Sequence, residues 1–246
     1  MKDRLFCLNK TSTELGKVSI RALPPASIRY HANGSRDLYS FLEVGKQCKS
    51  DIIEALKKIN RNLDSFHDIL DFGCGCGRTL LWLARPSSPS LFYGTDIDAD
   101  AISWCQKNLK FIKCDTNAEV PPLKYPSSSF DLVYAISVFS HITEDYQFRW
   151  LDELKRIMKP SGILLISLHG RNVWEKLPQE YIDKIEKNGF VFRKTGFWKN
   201  IFPEWYEDAY HTEQYVRDEY SKYFKVLHYI PKGIGNHQDL VVLQNA

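Results

Sequence analysis

The sequence predicts an α/β fold, in which a mostly parallel sheet is covered by helices on both faces. Three observations carry that expectation. Between Ile69 and Leu168, short apolar runs alternate with stretches whose apolar residues recur at helical spacing. The connections between them are short. The first apolar run opens at once into "FGCGCGRTL", a strand–turn–helix signature. A chain of 246 residues is long enough to bury a sizeable core around such a sheet.

Residues 1–45 are expected to be irregular, because Pro24, Pro25 and Gly34 oppose one long helix. Ile52, Leu56, Ile59 and Leu63 then predict an amphipathic helix from Ser50 to Asn62. Ile69 to Phe72 is a buried strand, Arg78 to Ala84 a helix, and "LFYGTDI" a second strand. Ala101, Cys105 and Leu109 mark a helix opened by Asp98 or Asp100, followed by a strand near "FIKC". "FDLVYA" is the fourth strand. Thr143 caps the next helix, with Trp150, Leu151, Leu154 and Met158 facing inward, and "KPSG" ends it before the strand "ILLISLHG". Six aromatics crowd between Phe197 and Tyr210. A helix capped near Thr212, a strand from Phe224 to Ile230 and a last strand "DLVVL" suggest an appended antiparallel pair.

The net charge of +3 is spread along the chain and predicts no nucleic-acid partner. Lys155, Arg156 and Lys159 read as the cationic last turn of a helix. The start "MKDRLFCLNKTSTELGK" lacks the apolar stretch of a secretory leader, and "ILLISL" is too short to span a bilayer. Six cysteines without a CxxC pair are expected to be reduced thiols in a cytoplasmic protein.

Gly73, Gly75 and Gly77 strip the β-carbons from one edge of the turn, at an entropic cost that makes sense if something must approach closely. A strand, a glycine turn and a helix place a cofactor over backbone amides at the carboxyl edge of a sheet. Dinucleotide sites need G-x-G-x-x-G, but Arg78 occupies the third required position. The pattern is D-x-G-x-G-x-G instead, which favours a cofactor without a pyrophosphate.

This segment resembles motif I of the class I S-adenosylmethionine-dependent methyltransferases, in a small bacterial-type form. "YGTDID", "IKCDTN", "FDLVYAISVFSHI" and "LKRIMKPSGILLIS" extend the similarity from Ile69 to about Leu168. The resemblance implies a Rossmann-like, seven-stranded, mostly parallel sheet and S-adenosyl-L-methionine as cofactor. It implies that Asp96 accepts the ribose hydroxyls, that Asp115 takes the adenine amino group and that Thr116 adds its backbone. Asp71, Gly73, Cys74, Gly75, Gly77, Arg78, Ile97 and Ser137 would complete the cofactor wall, with Arg29 on the methionine carboxylate. On this view, residues 1–246 form a single domain. Residues 1–45 are a lid, 50–170 the cofactor core, 171–222 a substrate-recognition insertion and 223–246 the terminal strands.

Methyl transfer needs a base only for a poor nucleophile, and His141 and then His211 are the catalytic candidates. Tyr30, His169, Trp205 and Tyr206 are candidates for binding the substrate. "FPEWY" is either an aromatic wall facing the acceptor or the small core of an insertion. His31 falls in the lid, His237 before the last strand, and His67 and His228 are expected to be structural. No metal site is expected: Ala101 and Lys107 break a calcium-loop pattern begun by Asp96, Asp98 and Asp100, and Cys74 and Cys76 lack partners. "AISV" stands where amino methyltransferases of DNA bear N/D-P-P-Y/F. The expectation is therefore a small-molecule acceptor, no nucleic acid, no membrane span, and a monomer or homodimer. A non-catalytic cofactor-binding scaffold and, less well supported, a nicotinamide-dependent oxidoreductase are the alternatives.

Overall fold

The computed structural model describes residues 23–85, 88–196, 203 and 205–246. Among them, one sheet of seven strands runs β3-β2-β1-β4-β5-β9-β8, where β1 is Asp68–Phe72, β2 Leu91–Asp96, β3 Ile112–Thr116, β4 Phe130–Ala135, β5 Met158–Leu168, β8 Lys225–Ile234 and β9 Gln238–Gln244. Strands β1 to β5 pair in parallel, and β9 runs antiparallel to both β5 and β8. This is the Rossmann-like α/β architecture expected. The strand order reverses between β1 and β4, which opens a crevice at their carboxyl ends.

Alternating residues of the strands feed two cores. Ile69, Leu132, Tyr134, Ile163, Leu165, Leu240 and Val242 pack with helices α2 (Leu38–Lys58) and α4 (Ala99–Asn108). Leu70, Val133, Leu164, Ile166, Val241 and Leu243 face the opposite way, onto α5 (Glu144–Ile157) and the later helix α8 (Glu213–Tyr220). Asp98 caps α4, accepting from the backbone of Asp100 and Ala101 at 3.0 Å each.

The amino-terminal segment departs from expectation. Pro25 starts, and Gly34 (φ +63°) ends, a helix α1 at Ala26–Asn33. Helix α2 begins twelve residues before the predicted Ser50, because the Asp37 carboxylate caps it through Ser40 N at 2.6 Å. Its buried face of Phe41, Gly45, Cys48 and Ile52 has helical spacing, but Gly45 hides the pattern. A β-carbon there would stand 2.3 Å from the Arg78 carbonyl, so a helix–turn contact demands the glycine. Helix α3 shrinks to Leu80–Leu83. "KPSG" does not separate a helix from a strand, because β5 already starts at Met158, paired with Phe130 across an irregular step. Lys159 therefore lies on β5 and pairs with Asp68 (2.8 Å) and Asp131 (3.4 Å), rather than closing a helix.

Between β5 and β8 lie α6 (Arg171–Trp174), α7 (Gln179–Asn188), an antiparallel pair β6 (Phe190–Arg193) and β7 (Asp208–His211), and then α8. Trp174, Ile185 and Tyr210 form a small core there. Thr212 caps α8, its side chain accepting from Tyr215 N. Buried Gln147 on α5 fastens this insertion to the sheet. Its Nε2 donates to the carbonyls of Phe139 (2.8 Å) and Ile142 (3.1 Å), while Oε1 accepts from His211 Nε2 (3.0 Å) and the Tyr220 hydroxyl (2.7 Å). Among the described residues, no helix is long and apolar enough to cross a membrane.

Gln147→Leu strands four buried polar groups of three different segments. It is expected to lower the unfolding free energy by roughly 2–4 kcal/mol, read as a lower urea midpoint at unchanged m-value.

Candidate active site

A cavity of about 360 Å³ lies at the carboxyl ends of β1, β2 and β4, within the size range of small-ligand sites. The glycine turn forms its floor. Gly73 N and Cys74 N both donate to the Thr95 carbonyl of β2, at 2.8 and 3.0 Å. Gly73 has φ +77°, and a β-carbon on it would stand 2.2 Å from Val138 Cγ2. Gly75 has φ +50°, with Ala32 of α1 2.9 Å from the position of its β-carbon. Gly77 turns away from the cavity towards Leu109 and Cys105. Its place among the cofactor residues is thus corrected: it serves helix packing.

Asp96 ends β2 on the cavity wall. Its Oδ2 accepts from Gly75 N (2.6 Å) and Oδ1 from Asp98 N (2.8 Å), which leaves each oxygen a further lone pair. Burial pushes its carboxyl up to about 6. Asp71 also lines the cavity, and burial drives its carboxyl well above the usual range against the opposing influence of the Tyr134 hydroxyl and Arg78. Arg78 reaches up to α1, donating to the Ala32 carbonyl (2.7 Å) and Asn33 Oδ1 (3.1 Å). His31 Nδ1 lies 2.7 Å from Asp98 Oδ2, a second tie between α1 and the sheet. Cys74, Ile97 and Ser137 line the cavity as well. Ser137 (φ +60°) is held by Ser167 Oγ and Gln238 in a buried polar network.

Several expected residues stand elsewhere. Arg29 donates to the carbonyls of Pro24 and Arg36, stapling the ends of α1, and Tyr30 lies under the Arg36 guanidinium; neither reaches the cavity. Asp115 pairs with Lys124, and Thr116 is exposed, because β3 stays in register with β2 through Thr116. The chain meets the cavity only beyond that, at Asn117 and Glu119. Asn117 is locked by Thr95 Oγ1 (2.8 Å) and by its own N–H on the Asp96 carbonyl (3.0 Å).

The histidines separate. His141 is on the cavity wall, stacked on Tyr206 at 4.8 Å. His211 is wholly buried on Gln147, and burial lowers its pKa to about 3, so it belongs to the insertion's frame and not to the cavity. His169 lies behind His141, edge-on at 5.1 Å, with its pKa lowered to about 3 by burial and then by His141. It is not a lining residue either.

Trp205 and Tyr206 do line the cavity. Trp205 stacks on Tyr146 (4.9 Å) and donates to Glu119 (3.0 Å), while the Tyr206 hydroxyl donates to the Ser137 carbonyl (3.3 Å). Phe202 and Glu204 of the same "FPEWY" lie outside the described residues, as do Phe197, Trp198 and the first 22 residues. Phe72 and Trp150, packed on each other at 4.7 Å, also face the cavity, although their apolar character had marked them only as core. Among the described residues, no group of three or more His, Cys, Asp or Glu is placed to hold a metal ion.

Residues 70–166 match the family model described as a methyltransferase domain. The tRNA N(3)-cytidine methyltransferase METTL2 of Bos taurus is 32% identical over 115 residues, covering 42% of this chain and 30% of that protein. The fatty-acid O-methyltransferase of Mycolicibacterium smegmatis is 29% identical over 102 residues, covering 39% of this chain and 35% of its own. The chain thus spans about a third of the length of these curated relatives. The fold is shared with magnesium protoporphyrin IX methyltransferase from Synechocystis PCC 6803, solved with bound S-adenosylhomocysteine, at a TM-score of 0.58 and 16% identity over 90% of this chain and 93% of that one. Over residues 70–166 the chain thus resembles a methyltransferase domain, and its fold is one that S-adenosylmethionine-dependent methyltransferases share.

Gly73→Ala combines a left-handed backbone with a collision against Val138, and should lower the unfolding free energy by roughly 2–4 kcal/mol. Gly196→Ala is the control, with φ +72° but nothing within 4 Å, and should cost only about 1–2 kcal/mol. Paired denaturant melts check the difference.

Proposed function

We propose that this chain transfers a methyl group from S-adenosylmethionine to a small-molecule acceptor, as a cytoplasmic monomer or homodimer without a nucleic-acid partner. The observation that carries it is the Asp96 carboxylate, aimed into the cavity beside a glycine turn and held on each oxygen by one backbone donor. A diol such as a ribose edge can donate to the two remaining lone pairs. In this reading Gly73, Cys74 and Gly75 let the cofactor lie against their backbone, and Ile97 and Asn117 flank its base in the place expected for Asp115. Asp71 and Ser137 face its amino-acid end. The bound cofactor supplies an already activated methyl group on a sulfonium.

What the chain must then do is orient and exclude water. Arg78 and His31 fasten α1 over one side, and Trp205 reaches Glu119 across the other. Fixing the two reactants in line is worth on the order of 7–11 kcal/mol. A small acceptor fits this enclosure better than a polynucleotide such as the tRNA named for the METTL2 relative, since Arg78, the one arginine or lysine among the described lining residues, is engaged by α1. The five described cysteines are free and buried, which supports a reducing compartment.

Calorimetry with S-adenosylhomocysteine tests the reading. Binding near −8 kcal/mol is expected, corresponding to roughly micromolar affinity, and Asp96→Ala should weaken it at least tenfold through lost charge-assisted hydrogen bonds. No measurable heat from the wild type would sink the proposal. A pH series adds a second check. Ribose donors favour the ionised carboxylate, whereas the free protein holds it at about 6. Affinity should therefore be full above pH 7 and fall towards about tenfold weaker near pH 5. Asp96→Asn should abolish that dependence.

A further inference from the structure

At the acceptor side of the cavity, His141 Nδ1 lies 3.0 Å from the Glu207 carbonyl and 3.4 Å from Asp208 Oδ1. Both partners are acceptors, so Nδ1 carries the ring proton and Nε2 the lone pair. The arrangement is built by the backbone: Glu207 N donates to the His141 carbonyl and Ala209 N to that of Ser140, each at 2.8 Å, so β7 and the turn after β4 hold each other in register. Burial works against the Asp208 carboxylate, yet its contact with His141 keeps it below the ordinary range. Among the described residues, the other titratable groups around the imidazole are His169, kept neutral with His237 behind it, and Tyr206, whose hydroxyl is pushed up by burial. Among the described groups facing the ring, Asp208 is the charged one.

We propose that His141 is the catalytic base of this site, that Asp208 is its positioning residue, and that the acceptor is a neutral phenol. This rests on the methyl-transfer reading above. A hydroxyl needs a base to take its proton as it attacks, whereas a carboxylate already carries its charge. Tyr206, Trp205, Trp150 and Phe72 offer aromatic faces to a ring. An anionic acceptor finds no described partner: Arg78 and His31 are both bonded to protein groups, and four carboxylates (Asp71, Asp96, Asp98 and Glu119) line the same cavity. In the step, a lone pair of the phenol oxygen forms the bond to the transferred carbon, and the O–H proton passes to Nε2. The C–S electron pair stays on sulfur. The imidazolium, steadied by Asp208, then gives its proton to water.

Two readouts test this. Carbethoxylation by diethyl pyrocarbonate, followed by mass spectrometry with S-adenosylhomocysteine bound, reports on Nε2 without any acceptor. His141 should react while buried His169 and His211 stay protected, and its pH profile should move roughly one unit lower in Asp208→Asn. In parallel, transfer from radiolabelled S-adenosylmethionine is measured to phenol, benzylamine and benzoate. Phenol should be methylated, and His141→Gln should slow that transfer about a hundredfold or more while S-adenosylhomocysteine binding stays within twofold. An unreactive His141, transfer to benzylamine or benzoate but not phenol, or no transfer to any probe overturns the assignment. An unmoved profile in Asp208→Asn removes Asp208 from it, and wild type and His141→Gln still decide the base if that variant does not fold. Absence of S-adenosylhomocysteine binding is a different result, which removes the methyltransferase reading itself.

Discussion

The structure depends on how the carboxyl end of β2 grips the turn that follows β1. Thr95 offers its carbonyl to Gly73 N and Cys74 N, and Asp96 offers its carboxylate to Gly75 N and Asp98 N. The turn can accept this grip only because Gly73 and Gly75 adopt positive φ without a β-carbon. With the turn so placed, Val138 from the β4 side and Ala32 from α1 come within contact of bare backbone. Burying a carboxylate at that point is unfavourable, which is why its pKa rises to about 6. Such a cost is tolerated where a ligand recovers it.

The second half of the site is assembled over longer range. Residues 140–142 are paired with 206–209, more than sixty positions later, and Gln147 ties that pairing to α5 and α8. His211 looks like a catalytic candidate in sequence because it adjoins the aromatic segment. Its contribution is instead a neutral N–H to Gln147, which keeps β7, and with it Asp208, against His141. That wall of the cavity is therefore as rigid as the buried polar node.

Local signals were legible wherever one segment decides its own conformation. The glycine turn, the Asp98 cap, the apolar β4 and the alternation feeding both faces of the sheet follow from short-range sterics and period. Elements whose limits depend on a neighbour were not. The start of α2 is obscured by Gly45, required by the Arg78 carbonyl, and Lys159 belongs to β5 because Asp68 and Asp131 lie beneath it. Asp115 carries the expected chemistry two residues too early, since β3 keeps pairing until Thr116 and delivers Asn117 instead.

By itself, then, the sequence determined the class of sheet, the bend that bares its backbone and the acid one strand over, because each is written in residue types whose conformational limits are intrinsic. Only the tertiary structure decided which polar side chains share the cavity. Arg29 and His211 are spent on internal hydrogen bonds, whereas Trp150 and Phe72 reach the ligand space. That outcome turns on how strands register and how an insertion folds back, and neither is encoded in the neighbours of the residues concerned.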